Sequence, residues 1–204
     1  MIKRPIHTLI FDLSEVLISG LVGIEKPLST TLHQSKKTIL AAFGGERLKQ
    51  ICRGELSEEA YLEQIIAEQQ WELSIDTLKK TIRQNLQQRV EGMEPLVTYL
   101  IPRYQLVLHS DHAVEWVTYL RQAHPFLDLF DPQFFSFDLK HTKDEPAAFQ
   151  TMLEKLGQAP DTCLFIDDNP RNVRTAEAVG LAGIHFINAA HLRGELAERG
   201  IIQR

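Results

Sequence analysis

Asp12, Ser110, Lys143 and the adjoining pair Asp167–Asp168 are the residues on which chemistry could be built. Each follows a short apolar run that gives way to polar residues. Asp12 follows His7-Thr8-Leu9-Ile10-Phe11, Ser110 ends a run through Tyr104-Gln105-Leu106-Val107-Leu108, and Asp167 follows Thr162-Cys163-Leu164-Phe165-Ile166. Lys143 lies a few residues beyond Phe134-Phe135-Ser136-Phe137. Three carboxylates that meet in one crevice cannot all stay ionised without a cation. An all-oxygen donor set suits a hard ion, and Mg²⁺ is held by one or two carboxylates together with substrate phosphate. Asp12 and Asp168 read as direct ligands, Asp167 as acting through water, and the backbone carbonyl of Ser14 as completing the shell. Lys143 offers a compact positive charge and Ser110 a hydroxyl with neighbouring backbone N–H groups, a set suited to phosphoryl oxygens. Asp12 is then a carboxylate nucleophile able to form an aspartyl-phosphate. A metal and Lys143 are required because carboxylate and phosphate otherwise repel each other.

Such residues meet only if the chain places them on one edge. The apolar runs read as buried strands and the segments between them as helices, with Gly157 and Gly180 at helix ends. Strands alternating with helices imply an α/β fold, a parallel sheet covered by helices. In such sheets ligands bind outside the carboxyl ends of the strands, where all of these residues fall. From about Leu21 to Arg89 the pattern is instead helical, with Ser57 and either Ser74 or Asp76 as N-caps, Ala60, Leu62, Ile65 and Ile66 on one face, and Leu78, Ile82 and Leu86 on another. Beyond it, Pro95–Leu100, Ala113–Ala123, Ala147–Leu156, Asn172–Val179 and Ala189–Gly200 are expected helices, with Val114, Val117 and Leu120 inward. Phe134–Phe137 and Gly183–Phe186 are expected strands.

The 204 residues suffice for one core with a smaller appendage. A net charge of −5 gives no electrostatic reason to expect nucleic acid or an anionic membrane as partner. Two distant cysteines, Cys52 and Cys163, suggest no disulfide framework and fit a reducing, cytoplasmic compartment. No run approaches membrane-spanning length. The partner expected is a small phosphorylated metabolite, and the oligomeric state is open.

Four segments resemble the motifs of the haloacid dehalogenase-like (HAD) hydrolases. Phe11-Asp12-Leu13-Ser14-Glu15-Val16-Leu17 resembles the first, Leu108-His109-Ser110-Asp111 the second, Lys143-Asp144-Glu145-Pro146 the third and Phe165-Ile166-Asp167-Asp168-Asn169-Pro170 the fourth. The resemblance is nearest to sugar-phosphate phosphatases and to the amino-terminal phosphatase domain of soluble epoxide hydrolases. It implies a Rossmann-like core, residues 1–18 and 92–204, with a small helical cap, residues 19–91, inserted after the first strand. It also implies Mg²⁺-dependent hydrolysis of small phosphate monoesters. Asp12, Ser14 and Lys143 take the catalytic positions, Ser110, Asp111 and Lys143 the substrate-binding ones, and Asp12, Ser14, Asp167 and Asp168 the metal positions.

Two residues depart from the pattern. Ser14 stands where the phosphatases carry a second Asp that protonates the leaving oxygen and then activates water. Losing general acid–base catalysis slows a reaction by about 10²–10⁴. Asp144 replaces the Pro that usually follows the third-motif Lys and adds a negative charge beside Lys143. The chain therefore reads as a slow phosphatase or, alternatively, as a catalytically impaired member that binds a phosphorylated ligand or a protein partner. A metal-free dehalogenase is disfavoured by the acidic pair Asp167–Asp168. Substitute acids, if any, would come from Glu15, His33, His141 or Glu145.

Overall fold

The computed structural model describes residues 5–203. Five strands, β1 (Thr8–Phe11), β2 (Gln105–Ser110), β3 (Gln133–Phe135), β4 (Cys163–Asp167) and β5 (Ala182–His185), form one parallel sheet in the order β3-β2-β1-β4-β5. The most apolar strands, β1, β2 and β4, lie centrally because a parallel sheet is buried on both faces. Side chains alternate across it. Leu9 and Phe11 join one apolar cluster, and Ile10 joins the other.

Helices cover both faces. The first cluster includes Leu96 from α6 (Met93–Leu100), Leu120 from α7 (Val114–Ala123) and Leu192 from α11 (Ala189–Glu198). The second includes Phe149 and Met152 from α9 (Pro146–Leu156) and Ala176 from α10 (Pro170–Ala178). The fold is thus Rossmann-like, a parallel α/β sheet between two helical layers.

Between β1 and β2 the chain runs through α1 (Glu25–Leu32), α2 (Lys36–Ala42), α3 (Gly45–Cys52), α4 (Glu58–Gln69) and α5 (Ile75–Leu86) before α6. Ser57 caps α4 and Ser74 caps α5, each accepting the backbone N–H three residues on. Outgoing and returning chain are tied together where Ser19 donates to the Gln88 carbonyl and Val90 to that of Leu17. Leu62, Ile65, Leu78 and Ile82 belong to the same apolar cluster as the sheet's first face. The insert therefore packs onto the sheet layers and adds to their core.

Two local expectations are corrected. The strand at Phe134–Phe137 stops at Phe135, and Ser136–Leu139 forms a short helix, α8. Ser136 causes the break: its hydroxyl donates to the Cys52 carbonyl at 2.6 Å and accepts the His112 N–H at 3.1 Å. Those bonds draw it out of the ladder and against α3. Val114 is 46% exposed rather than inward, and Ala113, Trp116, Val117 and Leu120 form the buried stripe of α7.

Candidate active site

The central strand delivers Asp12 to the middle of the sheet's carboxyl edge. Its backbone N–H donates to the Ile166 carbonyl at 2.9 Å, which holds it level with β4. Its Oδ1 accepts the Leu13 N–H, the Ser110 hydroxyl and the Lys143 ammonium, each at 2.7 Å. Three donors on one oxygen fix the carboxylate, and its Oδ2 takes part in none of these bonds. Asp12 itself lines the cavity.

Lys143 arrives on the loop before α9 and is 2% exposed. Its Nζ lies 2.7 Å from Asp12 Oδ1 and 2.6 Å from Asp167 Oδ2. Burial works against its charge, but Asp12, Asp167 and Asp111 outweigh that and hold the ammonium protonated above the usual lysine range. The loop is pinned by Asp111, whose two carboxylate oxygens each accept the Lys143 N–H at 3.1 Å. Burial pushes the Asp111 carboxyl up to about 7. Asp111, expected to bind substrate, lines the cavity while its carboxylate holds the Lys143 backbone.

At the end of β4 the two acids differ. Asp167 is fully buried and saturated: Oδ2 takes Lys143, Oδ1 takes the Asn169 N–H at 2.7 Å, and the Asn172 amide reaches both oxygens at 3.2 Å. The Asp168 side chain, among the described residues, has no hydrogen bond or ion pair. Burial, with the nearby charges of Asp12 and Asp167, raises its carboxyl from 3.8 to about 7. Ligand atoms of Asp12, Asp167 and Asp168 all lie within 4.8 Å of one another. Three acids face one lysine, so the cluster lacks positive charge, and it offers oxygen alone. The residues present fit a hard divalent cation.

Asp168 is held protonated when folded up to about pH 7, so the folded state binds more protons than the unfolded one between roughly pH 4 and 7. In chelator, stability should therefore fall as pH rises through that window. A divalent ion held by this cluster would need the ionised acid, so Mg²⁺ should stabilise more at pH 7.5 than at pH 5. Saturation near 100 times Kd adds about 2.7 kcal/mol, or a melting temperature higher by roughly 5–10 °C. Thermal unfolding with and without Mg²⁺ at the two pH values checks this, and equal shifts at both would contradict it.

Ser14 has a partner that sequence reasoning missed. Its Oγ lies 2.9 Å from His112 Nε2. His112 is 2% exposed, and its Nδ1 has no hydrogen-bond partner among the described residues. Burial and the charge of Lys143 drop its pKa to about 3, so the ring is neutral. Space at this point is tight: a Cβ on Gly20 would sit 2.7 Å from Ser14 Cβ and Oγ. Of the suggested substitute acids, Glu15 lines the cavity, with Oε1 accepting the Gly20 and Val22 N–H groups. His141 and Glu145 pair with each other at 2.9 Å, and neither they nor His33 line the cavity.

Asp144 is likewise engaged. Lys49 of α3 meets it at 2.6 Å, the Thr142 hydroxyl at 2.7 Å and Arg171 at 3.6 Å. Two cations surround the charge that the sequence placed beside Lys143, and Lys49 ties the insert to the sheet edge. The cavity above Asp12 has a volume of about 500 Å³ and is lined from both sides of this tie.

The sequence model of the haloacid dehalogenase-like hydrolases matches residues 6–180. The chain belongs to that family. This HAD hydrolase is 39% identical over 59 residues to flavin mononucleotide hydrolase 1 of Arabidopsis thaliana, a match covering 29% of this chain and 24% of the relative. It is 31% identical over 75 residues to D-ribitol-5-phosphate phosphatase of Bacteroides thetaiotaomicron, covering 37% of this chain and 36% of the relative. These matches thus span well under half of the curated relatives. Its fold is shared by a HAD family enzyme of Bacteroides thetaiotaomicron solved in complex with magnesium and inorganic phosphate. The TM-score is 0.68 at 21% identity, covering 92% of this chain and 98% of that one. Among the described residues of this HAD hydrolase no helix is long and apolar enough to cross a membrane.

Proposed function

We propose that this HAD hydrolase is a Mg²⁺-dependent phosphomonoesterase that works through an aspartyl-phosphate on Asp12. The observation carrying the reading is that Asp12, Lys143, Ser110 and the Asp167–Asp168 pair meet at one sheet edge, with Asp12 Oδ1 held by three donors. The Asp12 carboxylate attacks phosphorus, and the bond to the leaving oxygen breaks. Water then attacks the phosphoryl group, releasing phosphate and restoring Asp12. Asp12 and Asp168, with the Ser14 carbonyl, would hold Mg²⁺ directly, and Asp167 would act through water. The ion supplies charge neutralisation between the acids and the phosphoryl oxygens. Lys143 orients those oxygens, and Asp111 positions Lys143. Ser110, expected to bind them, is fully buried with its hydroxyl on Asp12 Oδ1 and so holds the carboxylate. Residues 19–91 serve as a cap that closes the cavity over a core of residues 1–18 and 92–204. The relatives named for flavin mononucleotide and ribitol phosphate support a small phosphorylated substrate.

Ser14 sets the speed. A hydroxyl next to a neutral imidazole delivers no proton to the leaving oxygen as readily as a carboxylic acid does. Esters whose leaving oxygen needs no proton are therefore the favoured substrates. Ser14→Asp is expected to raise kcat on alkyl phosphates by about 10–100-fold, with much less gain on p-nitrophenyl phosphate, whose leaving group is already stable as an anion. An equal effect on both esters, or none, would contradict the assignment of Ser14.

The same Ser14 favours a second reading, a member that binds a phosphorylated ligand or protein partner without hydrolysing it. Steady-state turnover of p-nitrophenyl phosphate by wild-type protein, with Mg²⁺ and with chelator, separates the two. Mg²⁺-dependent release of p-nitrophenol supports the phosphatase, and calorimetric binding without release supports the alternative.

A further inference from the structure

The cavity wall opposite the acids has a composition that narrows the substrate. The insert lines it with the side chains of Leu21, Val22, Leu48, Cys52, Leu86 and Lys49. Five of the six are apolar, and Val22 is 54% exposed at the mouth. Lys49 is committed to Asp144 at 2.6 Å. From the core side, Trp116 lines it with its Nε1 committed to Glu58 at 2.7 Å. His112 Nε2 is engaged by Ser14, and the Thr142 hydroxyl by Asp144 and Glu145. Glu15, Asn169, Asn172 and Arg171, the last 66% exposed, also line the cavity, but against the insert's apolar side chains a polyol leaving group would surrender hydration that apolar contacts cannot replace. An apolar chain or ring would displace water from a surface with nothing to offer water in return. A volume near 500 Å³ is ordinary for a small-molecule pocket.

On the basis of the phosphatase reading above, we infer that the leaving group this cavity selects is an apolar alcohol, an alkyl or aryl phosphate rather than a sugar or polyol phosphate. The insert's apolar side chains set the preference, and the acids and Lys143 act only on the phosphoryl end.

Two primary-alcohol esters of similar intrinsic reactivity test this, n-octyl phosphate and glycerol 3-phosphate, compared by kcat/KM with Mg²⁺. The expected result is a preference of roughly tenfold or more for n-octyl phosphate. In Val22→Asn, a change at an exposed position that the fold tolerates, and in Leu48→Asn, the ratio between the esters should fall severalfold. Equal kcat/KM values, a preference for glycerol 3-phosphate, or an unchanged ratio in both variants would overturn the inference. Turnover of p-nitrophenyl phosphate is the separate readout for the phosphatase reading. If that ester is not hydrolysed, the same pair is compared as ligands by calorimetry, where tighter binding of n-octyl phosphate supports the inference and equal binding overturns it.

Discussion

Asp12→Asn is expected to reduce Mg²⁺-dependent turnover of p-nitrophenyl phosphate by at least about 10⁴-fold, the scale seen when a member of a covalent catalytic unit is removed. The amide is nearly isosteric, and its oxygen can still accept the Leu13 N–H and the Ser110 hydroxyl that hold Oδ1 at 2.7 Å. What it loses is the charge and nucleophilicity of the carboxylate. The variant should therefore stay folded while forming no covalent intermediate. It also removes one of three acids crowded around a single lysine, so its metal-free stability should not drop below that of the wild type. Steady-state kinetics with thermal unfolding checks both halves. A variant that keeps more than a tenth of wild-type turnover would remove Asp12 from the mechanism.

Lys143→Met should damage both activity and stability. The ammonium is the buried counter-charge shared by Asp12 and Asp167, at 2.7 and 2.6 Å. Removing one partner of a buried ion pair leaves an uncompensated charge and costs about 3–5 kcal/mol. For a chain of this length that lowers the melting temperature by roughly 6–20 °C. Turnover should fall by about 10²–10³, because the proposed mechanism loses the charge that would orient the phosphoryl oxygens. Mg²⁺ should recover part of the stability, since it meets the same excess of acid, but not the turnover. A methionine variant that melts like wild type in chelator would mean that the lysine carries little of the electrostatic load.

The sheet edge was legible because Asp12, Ser110 and Asp167 lie where apolar runs end, whereas Lys143 reaches it from the loop between α8 and α9. Phe11 gives way to Asp12 and Ile166 to Asp167, and parallel pairing of β1 with β2 and β4 must then bring those ends level. The insert was legible as helices through its caps at Ser57 and Ser74. Pairings that cross long stretches of chain were not. Ser14 meets His112 across 98 residues, and nothing local to either tells of the other. Asp144 read as an uncompensated charge because its partner Lys49 lies 95 residues earlier, on a helix whose facing direction the sequence leaves open. The strand at Phe134–Phe137 was overestimated for a related reason. An aromatic run favours a strand, but the bonds of Ser136 to α3 and to His112 override that preference. In α7 the expected inward residues Val117 and Leu120 are buried, and only Val114 was misread: in the first turn it is Ala113, just before the helix, that turns inward.

The most direct measurement is mass spectrometry of protein quenched in acid during turnover of p-nitrophenyl phosphate with Mg²⁺, followed by peptide mapping. The account predicts one added phosphoryl group on the peptide containing Asp12, lost in chelator and in Asp12→Asn. Steady hydrolysis with no phosphorylated peptide, or with the label on another residue, would contradict it.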